Sequence, residues 1–335
     1  MRYILMTVAL LLLLLANMVF GTVSIPPESV IAILTGGDCD NEIWRYIIIG
    51  SRLPQSITAL LSGMSLSACG LMLQTIFRNP LADPSILGIS SGASLGVAMV
   101  TLFFGGLFVA GSFSITGYAA TVISAFMGAV IVIGLIMFFS SVVRNHILVL
   151  IIGIMIGYLS SSAITLLNYF ATQEGVKTYS VWSMGSFSGV TLTMLPWFVT
   201  MSMAALLLCI LLIKPLNALL LGDNYASNLG YNIKRLRHFM LFITGIVTAV
   251  ITSVCGPISF IGLAVPHIAR LTTTSDNHLA LMPSTILIGG IVALSCNLVT
   301  AMPGDGTIIP INAVTPLVGA PVIIWVIMRG MVKKQ

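Results

Sequence analysis

Few side chains in this chain can do chemistry, and their spacing says which kinds of chemistry are excluded. Nine Asp and Glu, 14 Lys and Arg and four His are spread over 335 residues. No GxxxxGK[ST] loop is present to cradle a nucleotide phosphate, and no HExxH or GxSxG cluster is present to activate water or a serine. Cys39, Cys69, Cys209, Cys255 and Cys296 form no CxxC pair, and four of them lie inside apolar runs. That placement reads as burial rather than as metal or disulfide chemistry. His267, in Val265-Pro266-His267, reads either as a ligand contact or as a helix-end hydrogen-bonding group, and the structural role is the simpler one. The 18 methionines suit adaptable packing between helices better than a metal path.

The elements that must position these residues are membrane helices. Apolar residues make up 58% of the chain, charged residues 7%, and mean hydropathy is +1.10. Soluble domains run roughly 45–50% apolar and about 25% charged, so no soluble fold could bury this much apolar surface. Crossing the bilayer takes roughly 20 apolar residues. Such runs lie at about 3–22, 54–75, 85–107, 115–140, 146–168, 191–213, 238–258, 280–301 and 311–329. A shorter run, about 260–271, follows Gly256-Pro257 and contains Pro266, which predicts a short or broken span shielded by its neighbours. The expectation is a single all-α transmembrane domain over 1–335, with about ten crossings and both termini on one side.

Charge sets the orientation. With the termini in the cytoplasm, only Arg45, Arg52 and Lys177 of the 14 basic residues fall outside, as the positive-inside rule requires. The basic residues are not gathered in one patch, so the net charge of +5 does not indicate nucleic acid. Arg2 and the apolar run after it could be a signal peptide, but no clear small-x-small cleavage site follows, and retention is expected. Arg52-Leu53 opening one span and Arg235-Leu236 opening another suggest two inverted five-helix halves, a recurring transporter architecture. The spans hold almost no Asp, Glu, Lys or Arg away from their ends. That argues against an ion-gradient-driven secondary carrier, the alternative reading, and against a membrane-embedded enzyme. Energy is expected from a partner.

The longest cytoplasmic connection, about 214–237, contains Gly222-Asp223-Asn224-Tyr225-Ala226-Ser227-Asn228-Leu229-Gly230. The glycines bracket a stretch that could form a short helix, with Asp223 near its N-terminus as a cap. Such a helix would be a lever for a soluble partner; an ordinary interhelical loop is the other reading.

Four stretches, in order, carry a family resemblance from Arg52 to Arg329. They are Arg52-Leu53-Pro54 through Gly63 and Gly70 to Gln74; Arg78-Asn79-Pro80-Leu81-Ala82-Asp83-Pro84 through Gly88 to Ala93; Trp182 to Phe187 with Gly222-Asp223 to Leu229-Gly230; and Gly256-Pro257 through Pro266-His267 to Arg270-Leu271, with Gly319-Ala320-Pro321 near the end. The chain thereby resembles the FecCD family, permeases of ATP-binding-cassette importers for iron–siderophore complexes, haem and cobalamin.

The resemblance implies a type II importer permease in a bacterial cytoplasmic (inner) membrane. It implies a second permease subunit (an identical copy or a paralogue), two ATP-binding-cassette ATPase subunits, a periplasmic or lipid-anchored substrate-binding protein, and no cofactor. It implies that Gly222, Asp223, Ala226, Leu229 and Gly230 form the ATPase-coupling element, that Asn79 and Leu81 help close the path to the cytoplasm, and that Arg52 docks the binding protein. A structural turn is the other reading of 79–81, and a membrane-interface anchor the other reading of Arg52. Two departures bear on docking. Gln55 stands where many relatives carry a second basic residue, and Asn297 and Thr300 stand where an Asp…Arg pair is usual.

Overall fold

The computed structural model describes residues 2–37, 41–103, 107–110, 113–143, 146–301 and 309–332. The expectations attached to Cys39, Arg144, Lys333 and Lys334 lie outside these residues. Helices dominate: α1 Arg2–Val19, α2 Pro27–Leu34, α3 Glu42–Arg45, α4 Leu53–Phe77, α5 Ile89–Ala98, α6 Gly117–Val142, α7 His146–Phe170, α8 Gln173–Ser183, α9 Leu195–Leu211, α10 Ile213–Leu220, α11 Asp223–Asn228, α12 Ile233–Cys255, α13 Ile261–Thr273, α14 His278–Thr300 and α15 Ile311–Val332.

Among the described residues six helical stretches are long and apolar enough to cross a bilayer. These are α1, the 36-residue run Glu42–Phe77, α6, α7, α12 and α14. The consecutive helices α9 and α10 pass the same test together and make a seventh if they form one broken span. Shorter apolar stretches lie at Ile89–Phe103 and Ile311–Val326, and the 13-residue α13 carries Pro266 in its interior. Each of the ten predicted runs therefore has a helical counterpart among the described residues; α13 is short as expected, and Ile89–Phe103 is short where a full-length span was expected.

The differences are local. The run Tyr46–Arg52, expected as an outer loop, is a π-helical turn continuous with α4. The span expected to reach residue 107 gives way after a π-helical turn at Met99–Phe103, and Leu107–Ala110 pairs antiparallel with Phe113–Thr116. The β-branched and aromatic content of those eight residues suits a hairpin. Helix α12 starts at Ile233 rather than near 238, because the Asn232 side chain accepts the Arg235 N–H at 3.1 Å and caps it.

The chain packs as two compact units that interleave along the sequence, so neither coincides with an N- or C-terminal half. One comprises Met1–Ala68, Ser186–Ile210 and Phe260–Gln335. Within it α4 meets α14 at Gly63, where an added Cβ would strike the Gly289 carbonyl, whose carbon lies only 2.9 Å away. Small residues let the backbones approach this closely, and the Ser67 hydroxyl then donates across to the Thr285 carbonyl at 3.1 Å. Met18, Ile25, Val30, Ile33 and Ile48 form a further buried cluster that seats α2 and the π-helical turn against the end of α1. The other unit comprises Cys69–Gly185 and Leu211–Ser259. Here α5 lies on α6 along a seam of Gly92, Gly96 and Gly128, and α12 meets α6 where Gly245 faces Ile133.

Candidate functional site

The expected coupling stretch 222–230 is helical, and its ends are sealed by backbone geometry. Gly222 sits at φ 118°, ψ 156°, a conformation that L-residues avoid, and releases α11 from the end of α10. At the other end Tyr231 N–H donates to Ala226 C=O at 3.1 Å and Gly230 N–H to Ser227 C=O at 2.9 Å, with Gly230 at φ 88°. This pair of bonds is a Schellman closure, which satisfies the last carbonyls and favours glycine at its left-handed position. Ala226 is fully buried and anchors the short helix from beneath, while α10 buries Ile213, Leu216, Ala218 and Leu219. Leu221, Tyr225 and Leu229, spaced four apart, stay exposed at 68%, 48% and 56%. Only Tyr225 lies within the six-residue helix; the two leucines flank it, so exposed apolar side chains stand on α11 and at both of its ends.

Asp223 does not cap α11, contrary to the sequence reading. Gly222 occupies the cap position and no side chain caps there. The Asp223 carboxylate is drawn instead to two guanidinium groups. Arg237 of α12 donates through Nη2 to both carboxylate oxygens, at 2.9 and 2.8 Å. Arg78 Nη2 donates to Oδ1 at 2.8 Å. Two cationic guanidinium partners hold the carboxylate more strongly than a single backbone N–H at a cap, so the acid is taken from the helix terminus. The sequence held both arginines, but no local pattern links positions 78, 223 and 237.

Arg78 opens the turn that holds Asn79 and Leu81. Its φ of 47° is in the left-handed region, unusual for a residue with a Cβ. Asn79 Oδ1 accepts the Leu81 N–H at 2.9 Å, and Ala82 N–H donates to the Asn79 carbonyl at 3.1 Å, an Asx-type turn. Leu81 projects outward, 41% exposed. Asp83 is buried behind it, accepting Ser85 N–H at 3.0 Å and the Ser85 hydroxyl. Burial pushes this carboxyl above the ordinary carboxylate range, against the lowering effect of its two Ser85 bonds.

Arg52 differs from expectation. The guanidinium expected to face a partner is turned inward and is 7% exposed. It donates to the carbonyls of Met18 at 2.7 Å, Val19 at 2.9 Å, and Val23. Met18 and Val19 are in the last turn of α1, where carbonyls lack intrahelical partners and a cation is favoured. Near this arginine in sequence, the exposed Glu42 and Arg45 border a cleft of about 730 Å³ lined also by Tyr46, Ile49, Gly50, Thr191, Leu192 and Thr193. Sequence reading gave these residues no role, since nothing in their spacing joins 42–50 to 191–193.

Apolar helices of bilayer-crossing length and a short helix tethered by charge describe a membrane-spanning protein. The chain belongs to the FecCD transport family, whose pattern matches residues 9–329. It is 31% identical over 328 residues to the vitamin B12 import system permease protein BtuC of Klebsiella pneumoniae subsp. pneumoniae, covering 97% of this chain and 92% of that protein. It is 33% identical over 300 residues to the protein of the same description from Photorhabdus laumondii subsp. laumondii, covering 86% and 84%. Among solved structures it resembles one described as an inward-facing conformation of a metal-chelate type ABC transporter, with a TM-score of 0.84 and 26% identity over 98% of this chain and 99% of that one. The chain is accordingly a permease of an ATP-binding-cassette importer.

Proposed function

We propose that this permease moves a cobalamin-type metal chelate into the cytoplasm by alternating access, driven by ATPase subunits that engage α11. Iron–siderophore and haem are the other cargoes that the family resemblance allows, and the relatives described as vitamin B12 permeases favour cobalamin. The observation that carries the ATPase assignment is the exposed Tyr225 on a glycine-closed helix, flanked by the exposed Leu221 and Leu229. An exposed apolar patch on a polar surface marks a protein contact. Rigidity makes the contact useful, because a floppy loop would dissipate the motion. Gly222, Asp223, Ala226, Leu229 and Gly230 form this element, and the whole 214–237 segment is its cytoplasmic mount.

A second permease subunit completes the path. Helix α7 exposes Tyr158, Ser161, Ser162, Thr165 and Tyr169 along one face, and hydroxyl groups suit a hydrated path better than lipid tails. Leu81, with Asn79 holding its turn, closes the cytoplasmic end. The binding protein docks around the outer end of α4. Arg52 ties that end of the helix to α1, and Glu42 and Arg45 supply exposed charge that fixes orientation. The distribution of basic residues supports cytoplasmic termini in a bacterial inner membrane.

The test is uptake of labelled cyanocobalamin into vesicles holding the permease and its ATPase partner, with the binding protein outside and ATP inside. Uptake that needs ATP and is lost on adding charge at Tyr225 (Tyr225→Asp) supports the proposal. Uptake without ATP contradicts it. Uptake of a haem or ferric siderophore but not cyanocobalamin keeps the mechanism and corrects the cargo.

A further inference from the structure

Asp223 is held unequally by its two arginines. Arg237 grips both carboxylate oxygens and is only 10% exposed in its side chain. Arg78 makes a single bond with its side chain 56% exposed, and the acid is 41% exposed. A shielded two-point contact stays closed, while one exposed to water and salt opens readily. One grip ties α11 to α12, and the other ties α11 to the turn that carries Asn79 and Leu81. Arg78 itself stands at φ 47°, an uncommon backbone conformation for a residue with a Cβ. No other ion pair among the described residues joins α11 to that turn.

We infer that Arg78 is a positioning residue whose bond to Asp223 transmits movement of α11 to the Leu81 turn, with Arg237 as the fixed side of the link. This rests on the proposed engagement of α11 by the ATPase. A two-state contact biased from α11 and read at the turn is what coupling between the two places physically requires. The link spans 145 positions of sequence and is absent from either segment read alone.

The test uses the permease dimer with its ATPase partner in lipid nanodiscs, in a Cys39→Ser background, because the described cysteines are buried. Spin labels are placed at Asn224→Cys in one sample and Leu81→Cys in another, and label-to-label distances across the dimer are measured before and after trapping with ATP and vanadate. With Arg78 intact both distances shift. With Arg78→Ala the 224 distance still shifts and the 81 distance does not, and Arg78→Lys restores the shift at 81. A full shift at 81 in Arg78→Ala overturns the inference. So does loss of both shifts in that variant, which would make Arg78 a structural support of α11. If the 224 distance fails to move even with Arg78 intact, the ATPase engagement itself is wrong and the inference falls with it.

Discussion

Asn297 donates its side-chain N–H to the side-chain oxygen of Asn17 at 2.8 Å, joining α14 to α1 across 280 positions. Gln55 on α4 donates in turn to the Asn297 oxygen at 2.9 Å, and Asn17 donates to the carbonyls of Leu13 and Leu294. Gln55 and Asn297 are, with Thr300, the positions where the sequence departs from the charged pattern of the family it resembles. The structure shows that the first two go together, as parts of one neutral amide chain. A carboxylate at 297 could still accept from Gln55 but would have no hydrogen to give the Asn17 oxygen. The buried Asn17 and Asn297 each both give and take, as buried polar groups must.

Replacing the middle amide is therefore expected to destabilise the fold. Asn297→Leu strips the Asn17 oxygen and the Gln55 amide of the partner shown here, at a cost of about 1–3 kcal/mol for an unsatisfied buried group. The thermal unfolding midpoint in detergent should fall, and an accompanying Asn17→Leu and Gln55→Leu should recover part of the loss.

Arg52→Gln separates a structural from a docking role. Losing the charge-assisted bonds to the end of α1 should cost about 1.5–3 kcal/mol, read as a lower unfolding midpoint. Affinity for the binding protein, measured on the fraction that remains folded, should change little, because the native guanidinium is turned inward.

Asp83 gives stability a pH dependence of definite sign. Its native pKa is raised above the ordinary value of 3.8, so the folded protein holds the proton more tightly than the unfolded chain. The associated stability is fully present below pH 3.8 and is lost as pH rises through the native value, with a slope of at most about 1.4 kcal/mol per pH unit. Asp83→Asn should remove that slope from a series of unfolding midpoints while keeping an oxygen for the Ser85 N–H.

Gly230→Ala tests the closure of α11. An added Cβ meets nothing within 4 Å, so the expected penalty is the left-handed backbone alone, about 1–2 kcal/mol. A shift of that size lowers the ratio of closed to open α11 roughly 5–30-fold, and if α11 is the lever uptake falls while ATP hydrolysis continues. Equal losses of hydrolysis and uptake would instead indicate failed assembly.

What could be read from the sequence was what depends on local pattern. The apolar runs placed α4, α6, α7 and α14 within a few residues of their observed ends, because bilayer thickness fixes their length. Pro266 in a short run marked α13, and Gly222 and Gly230 marked the ends of α11. What could not be read was which distant partner a polar side chain would choose. Asp223 had a good local use as a cap and was taken by Arg78 and Arg237. Arg52 had a surface reading and was taken by the carbonyls at the end of α1. The Glu42–Thr193 cleft likewise joins segments that no spacing rule connects.

The central claim is that this permease does no work of its own and is driven through α11. Its most direct test is cyanocobalamin accumulation in vesicles reconstituted with and without the ATPase partner, at equal permease content and with no ion gradient. The account predicts ATP-dependent accumulation with the partner and none without it. Accumulation against a gradient by the permease alone would contradict it.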